Sequence, residues 1–186
     1  MSFSDEVRKE ICANINDKDK RFACLYGMLL FSRTLTEERI CFQSKSSIAA
    51  DTFGEMFSAV FGSKPEFRIS HVKNGKDMYI YDITDKELIQ KIFVKYGFDG
   101  KERHINREII SIGSLGTFTA GVFLAGGSVN DPEKEYHLEF TSPEEKLAEE
   151  LIEILSEIEI SAGLTLRRSQ FIVYIKGSES IEDTLT

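Results

Sequence analysis

The segment Ser114–Gly126, SLGTFTAGVFLAG, is an apolar stretch of helical length in which glycine and alanine are unusually frequent. Glycine costs about 1 kcal/mol relative to alanine inside a helix, so a helix rich in small residues needs a compensating gain. Close packing against the backbone of a second helix would supply this gain. Gly27 holds a comparable place in an earlier apolar helix, predicted over residues 19–32. We therefore expect two helices to cross at Gly27 and Ala120-Gly121; a small-residue patch in an ordinary core is the alternative.

The elements predicted around these two helices follow the same order in both halves of the chain. Alternating apolar residues predict strands, helical spacing predicts amphipathic helices, and Asn74-Gly75 predicts a hairpin turn. The first half gives a strand at 37–43, a helix at 48–61 stopped by Gly62, strands at 66–70 and 78–83, and a helix to Tyr96 with Thr84 as N-cap and Glu87 as its capping-box partner. The second half gives a strand at 136–140, a long helix, strands at 163–168 and 171–176, and a helix from Ser178. The long helix is predicted to have Ser142 as N-cap, Pro143 as its first residue and Glu145 as capping-box partner. Its predicted inner face consists of Leu147, Leu151, Ile154, Leu155 and Ile158. We expect two strands, rather than one, after each apolar helix. The shared order of elements in the two halves indicates an internal duplication.

The composition of the 186 residues is that of a globular protein, with 41 % hydrophobic and 29 % charged side chains. No apolar run is long enough for a membrane span, and the N-terminus has no signal-peptide stretch, so a cytoplasmic location away from membranes is expected. The three cysteines and three histidines are dispersed, and Gly126-Gly127-Ser128 lacks the lysine of a phosphate-binding loop. We expect neither a metal nor a cofactor.

The net charge of −8 is distributed unevenly. Residues 1–95 carry 15 Lys and Arg against 14 Asp and Glu, whereas residues 96–186 carry 8 against 17. Many of these acids lie in residues 143–160, PEEKLAEELIEILSEIEI, on one predicted amphipathic helix. An acidic surface repels phosphate, which argues against a general nucleic-acid binder. The outer face of this helix is either simply solvated or an interaction surface.

Residues 119–127, TAGVFLAGG, resemble the LAGLIDADG motif of homing endonucleases. The matching residues are Ala120, Gly121, Ala125 and Gly127, and in the weaker counterpart, LYGMLLFSR, Leu25 and Gly27. The stretch FLAGGSVNDPEKEYHLEF is very similar to the signature of the WhiA family of bacterial transcription regulators, and the resemblance covers essentially the whole chain. It implies an α+β, homing-endonuclease-like fold of two pseudo-symmetric αββαββα repeats packed through the motif helices. The repeats would be residues 1–100, with an N-terminal helix, and 101–186.

The resemblance also implies a function. Members of the family act in transcription of sporulation and cell-division genes, and a C-terminal helix-turn-helix domain follows their LAGLIDADG-like part. No such pattern follows Leu185, so we expect that domain to be absent from this chain. The expected partners are DNA, the helix-turn-helix domain of the full-length protein and other transcription proteins, and the expected location is the nucleoid-associated cytoplasm. Active homing nucleases hold a divalent metal through an acid near the end of each motif. The corresponding residues of this chain are Ser32 and Gly126, neither of which carries a carboxylate. The nearby Asp131 is predicted to be part of a turn rather than a metal ligand. The chain is therefore not expected to be an enzyme.

In the nuclease fold, the exposed faces of the two sheets form a saddle that lies on the DNA major groove. Alternation assigns side chains to this saddle. They are Arg39, Gln43, Arg68, Ser70, Lys73 and Lys76 in the first repeat, and His137, Thr165, Arg167, Arg168, Tyr174 and Lys176 in the second. Each could equally be an ordinary solvated residue. Glu66 and Glu139 share these faces, so we expect weak DNA binding at physiological salt.

Two classes of function remain open from the sequence. The first is a transcription regulator in which this part gives weak or auxiliary DNA contact. The second is a protein-interaction or regulatory module that does not touch DNA and leaves recognition to the helix-turn-helix domain.

Overall fold

The computed structural model describes residues 2–131, 133 and 137–176, without the side chains of Ile112 and Lys176. The helices are α1 Phe3–Ala13, α2 Lys18–Leu30, α3 Ser47–Phe61, α4 Lys86–Tyr96, α5 Leu115–Gly126 and α6 Glu145–Glu157. The strands are β1 Thr34–Leu35, β2 Ile40–Ser44, β3 Glu66–Ser70, β4 Met78–Ile83, β5 Gly127–Val129, β6 His137–Ser142, β7 Gly163–Arg167 and β8 Gln170–Lys176. None of the helices described is long and apolar enough to cross a bilayer.

The strands form two antiparallel sheets with the same connectivity. The first has the order β1-β2-β4-β3 and the second β5-β6-β8-β7. From α2 to α4 the chain reads αββαββα, and from α5 to β8 it reads αββαββ. This confirms the predicted α+β fold and the repeated order of elements. The helix predicted from Ser178 and the strand residue Tyr136 lie outside the described residues.

Each sheet buries one face against helices. In the first sheet, Phe42 pairs with Tyr81, and the ring of Phe53 in α3 stacks 4.3 Å from that of Phe42. In the second, Phe140 meets the edge of Phe123 from α5, with ring centroids 6.3 Å apart. Aromatic rings supply large apolar area, so these contacts fix which face of each sheet is covered. The opposite face of each sheet is called the open face below.

Several predicted boundaries are wrong, for local reasons. The strand predicted at 37–43 begins only at Ile40, because Thr36 donates its backbone N–H to the Arg39 carbonyl at 2.9 Å and closes a turn between β1 and β2. Arg39 therefore lies before β2 rather than within it. The N-cap of α4 is Asp85 rather than Thr84, since the helix begins one residue later and the Asp85 carboxylate accepts from the Leu88 N–H at 3.0 Å.

The start and end of α6 also differ from expectation. Ser142 is the last residue of β6, paired with Phe171, because the ladder extends two residues beyond the predicted strand. It therefore does not cap α6, whose N-cap residue is Glu144, without a side-chain bond. Ile158 is 43 % exposed, since the helix has ended and Glu159 turns the chain with a positive φ of 65°. The other predicted inner-face residues of α6 are buried.

Candidate nucleic-acid interface

The two motif helices, α2 and α5, cross at Gly27 and Gly121. A Cβ added to Gly27 would lie 2.4 Å from the Phe118 carbonyl oxygen, and one added to Gly121 would lie 2.1 Å from the Cys24 carbonyl oxygen. Each carbonyl stands three residues before the glycine of its own helix, so the two contacts are related by a pseudo-two-fold axis. Ala120 is only half-buried and lines a cleft that α1 helps to form, so the close approach is made by Gly121.

The motif helices end near Ser32 and Gly126, the residues predicted to correspond to the acids of active nucleases. Ser32 is buried, and its Oγ lies 2.6 Å from the Leu29 carbonyl oxygen and 3.2 Å from that of Thr34. A Cβ added to Gly126 would lie 3.2 Å from the Thr141 carbonyl oxygen. Within the described residues, no group of three or more His, Cys, Asp and Glu side chains could hold a metal ion.

An arginine contacts each of these helix ends, which the sequence reasoning missed. Arg103 donates through Nη1 to the carbonyl oxygens of Leu30, at 3.0 Å, and Ser32, and through Nη2 to that of Arg33 at 3.3 Å. Burial lowers the pKa of Arg103, although the nearby Glu144 opposes the shift. Cations are favoured at helix C-termini, where carbonyl groups lack partners.

Arg8 makes the matching contact at the end of α5. Its Nη2 donates to the Gly127 carbonyl oxygen at 2.9 Å, and its Nη1 to Asp5 at 2.8 Å. The guanidinium carbon lies 5.7 Å from the centroid of the Phe123 ring. Its Nε is buried without a hydrogen-bond partner. One signal could have suggested the pair: Arg8 and Arg103 precede the motif glycines by nearly equal numbers of residues.

The open face of the first sheet brings together the predicted residues of the first repeat. Strand register places Gln43 and Arg68 on either side of Ile80, and Glu66 beside Asp82. Ile80 is only 6 % exposed, consistent with cover by the flanking side-chain stems. Arg39 and Ser70 lie on the same face by alternation. Lys73 and Lys76 are exposed in the turn between β3 and β4.

The carboxylate of Asp82 forms ion pairs with Arg39 and Arg68 on this face. It accepts from Nε and Nη2 of Arg39, both at 2.7 Å, and lies 4.0 Å from Nη2 of Arg68. The hydrogen bond from Arg39 is the main cause that lowers the pKa of Asp82. The carboxylate is therefore charged at neutral pH. Of the predicted bases of the first sheet, Arg39 and Arg68 are thus already engaged by an acid.

The open face of the second sheet is built in the same way around Glu139. Register places Glu139 opposite Tyr174, and His137 opposite Lys176. Glu139 accepts from Nε2 of His137 at 2.6 Å and from Arg167. Burial opposes the shift, but these bonds lower the pKa of Glu139. Thr165 is exposed on the same face, Arg168 is exposed in the turn that follows β7, and the side chain of Lys176 lies outside the description.

The acidic helix α6 is partly engaged by the segment that joins the two repeats, residues 97–111. Glu150 accepts from Nδ1 of His104 at 3.0 Å and from the backbone N–H of Ile105 at 2.9 Å. Three further contacts join this segment to residues at α6: Arg107 with Glu157, Glu102 with Lys146, and the Arg103 N–H with Glu144. The carboxylates are therefore not simply solvated, although Glu145, Glu149 and Glu153 remain exposed.

Comparison with solved structures first defines the class of protein. The chain superimposes on I-DmoI in complex with DNA and Mn with a TM-score of 0.54, at 15 % identity and over 88 % of this chain and 93 % of that one. It matches full-length DUF199/WhiA from Thermotoga maritima with a TM-score of 0.75, at 21 % identity, over 100 % of this chain and 61 % of that one. The fold is therefore that of the LAGLIDADG homing endonucleases and their WhiA relatives.

Sequence comparison then defines the family. Residues 115–186 match the model of the WhiA LAGLIDADG-like domain. The chain is 28 % identical over 207 residues to "Probable cell division protein WhiA" of Clostridium botulinum, covering 100 % of this chain and 64 % of that relative's length. The chain is therefore similar over its whole length to WhiA proteins, of which it spans a little under two thirds, and the resemblance predicted from its second motif is confirmed.

Proposed function

We propose that this chain is a non-catalytic, LAGLIDADG-like part of a WhiA-type regulator of transcription in cell division and sporulation, and that it makes weak or auxiliary contact with duplex DNA. In this proposal, residues 1–100 and 101–186 act as two repeats around the axis at Gly27 and Gly121. Sequence-specific recognition is assigned to a helix-turn-helix domain.

One observation carries the proposal. The bases predicted from alternation lie on the open faces of two sheets with identical connectivity: Arg39 and Arg68 on the first, Arg167 on the second. A repeated fold with basic side chains on corresponding faces can meet two successive stretches of a duplex. The acids on the same faces, Asp82 and Glu139, limit the number of phosphates that these bases can neutralise. Low affinity and a shallow salt dependence follow, because the slope of log affinity against log salt scales with the number of phosphates neutralised.

Phosphodiester hydrolysis is not part of the proposal. Ser32 and Gly126 offer no carboxylate to a divalent metal, which prefers hard oxygen ligands. Arg103 donates to the carbonyl oxygen of Ser32 itself, and Arg8 to that of Gly127, next to Gly126. Two guanidinium groups at the helix ends would repel a divalent cation there. These features support binding without cleavage.

The test is a fluorescence-anisotropy titration with labelled duplex DNA at low and physiological salt, with Mg²⁺ present, followed by a gel for strand integrity. We expect saturable, salt-sensitive binding and intact strands. The double variant Arg68→Ala/Arg167→Ala should bind at least about tenfold more weakly. Lys91→Ala, an exposed base on α4 outside both sheets, is the control and should change binding little. Cleaved strands, or equal losses in both variants, would contradict the proposal.

A second candidate function is a protein-interaction module that leaves DNA to other domains. Its support is the exposed row Glu145, Glu149 and Glu153 on α6, spaced to lie along one side of the helix. A basic domain could dock on this row. Two results together would favour this candidate. The chain would not bind DNA at low salt, and it would bind a basic protein domain in a salt-sensitive manner that Glu149→Lys/Glu153→Lys abolishes.

A further inference from the structure

We infer that Asp82 and Glu139 restrain DNA binding by this chain, because each carboxylate occupies the basic side chains of its own open face. The inference rests on the proposed function and names the residues that set its affinity. Of these two acids, the sequence analysis named only Glu139, as a residue that weakens DNA binding, and did not consider Asp82.

Asp82 shows most clearly how a carboxylate occupies the hydrogen-bonding edge of an arginine. Arg39 presents Nε and Nη2 to the two carboxylate oxygens, both at 2.7 Å. This is the planar edge of the guanidinium that binds a phosphate in a bidentate manner. The same carboxylate draws Arg68 to 4.0 Å. A phosphate must therefore displace Asp82 before it can take the strong edge of Arg39.

Glu139 acts in the same way on the second sheet. A single oxygen, Oε1, accepts from both His137 and Arg167. The Glu139 side chain is 17 % exposed and that of Arg167 is 54 % exposed, so the acid lies beneath the base. The pair is partly shielded from solvent, which makes it less sensitive to salt than a fully exposed pair.

The charges on the two open faces nearly cancel. Among the side chains that the structure describes there, three arginines, Arg39, Arg68 and Arg167, face three carboxylates, Glu66, Asp82 and Glu139. Glu66 is the least engaged, since no ion pair joins it to a described residue. Removal of the two engaged acids would free the arginines without changing any basic residue.

The opposite role is also physically reasonable and gives the inference a sharp alternative. A carboxylate can hold an arginine in the geometry that a base edge requires, and its removal then weakens binding. The two roles predict opposite signs for the same substitution. The sign of the change in DNA affinity therefore decides between them.

The experiment measures duplex DNA affinity by fluorescence anisotropy at low salt and across a salt series for the intact chain, Asp82→Asn, Glu139→Gln and the double variant. The control for the double variant is Glu149→Gln/Glu153→Gln, which makes the same charge change of +2 on the exposed side of α6. We expect the double variant to bind about tenfold more tightly and the control to change less than about twofold. Each arginine that gains a phosphate should steepen the slope of log affinity against log salt by about 0.9. Urea unfolding of each variant checks that the fold is kept.

Each outcome separates the inference from the proposed function. If the unmodified chain binds DNA but the double variant binds equally or more weakly, the inference is wrong and the proposed function stands. If only the double variant binds, the acids do restrain the saddle, while auxiliary contact by the unmodified chain is refuted. Failure of all variants to bind refutes both.

Discussion

Arg8 and Arg103 stand in equivalent places, because each precedes one motif helix in the chain and contacts the end of the other. Arg8 belongs to α1, which precedes α2, yet it donates to the carbonyl oxygen of Gly127 at the end of α5. Arg103 belongs to the segment that precedes α5, yet it donates to carbonyl oxygens at the end of α2. The ends of α2 and α5 are thus each held by an arginine that precedes the other helix, in addition to the glycine contact between the two helices.

The Arg103 contact predicts a large loss of stability on truncation. Arg103→Met should lower the free energy of unfolding by about 3 kcal/mol, because several carbonyl groups lose a charged donor. Urea unfolding measures the change. Arg107→Met is the matched control and should change stability little, since Arg107 is exposed and forms only a surface ion pair with Glu157. Equal effects of the two substitutions would mean that Arg103 merely covers the surface.

The helix crossing predicts that alanine is not tolerated at either motif glycine. Gly27→Ala or Gly121→Ala should cost about 3 kcal/mol or prevent folding, because the new Cβ would overlap a backbone carbonyl of the facing helix that cannot move alone. Thermal unfolding followed by circular dichroism measures this. Gly116→Ala in the same helix is the control, since no atom lies within 4 Å of the added Cβ. It should stabilise the protein by up to about 1 kcal/mol, and a loss as large as that of Gly121→Ala would contradict the explanation.

The contact between His104 and α6 predicts a pH dependence. The hydrogen bond to Glu150 is the main cause that raises the pKa of His104 above its ordinary 6.5. The protonated ring is favoured in the folded state, so its stabilising effect is complete below pH 6.5 and is lost as pH rises through the higher folded pKa. NMR titration should give a His104 pKa above 6.5 that falls in Glu150→Gln. An unchanged pKa in that variant would show that Glu150 is not the cause.

The helix ends predict indifference to divalent metals. Because Ser32 and Gly126 present no carboxylate and guanidinium groups contact both ends, added Mg²⁺ or Mn²⁺ should leave the melting temperature unchanged. Differential scanning fluorimetry with and without a chelator measures this. A rise in melting temperature that depends on metal concentration would place a binding site in the chain and reopen the question of catalysis.

The sequence predicted some features of the fold closely and others poorly. Strands β3 and β4 and the stop of α3 at Gly62 were correct, because alternation and a positive-φ glycine are local signals. The caps of α4 and α6 were wrong, because neighbouring residues such as Thr84 and Asp85 can both fill the position. The face assignments of Gln43 and Arg68 agree with the register, and that of Arg39 agrees with its bonds to Asp82, although whether these residues contact DNA stays a prediction.

By itself, the sequence determined the repeated order of elements, the motif glycine in each half, the resemblance to WhiA proteins and the lack of a carboxylate at Ser32 and Gly126. These depend on residue identity and short-range spacing. Only the tertiary structure decided which groups meet: Arg8 with Gly127, Arg103 with Ser32, Asp82 with two arginines, and Glu139 with Arg167. Such pairs join residues distant in the chain, and their geometry depends on the crossing of α2 and α5 and on strand register, neither of which a local pattern contains.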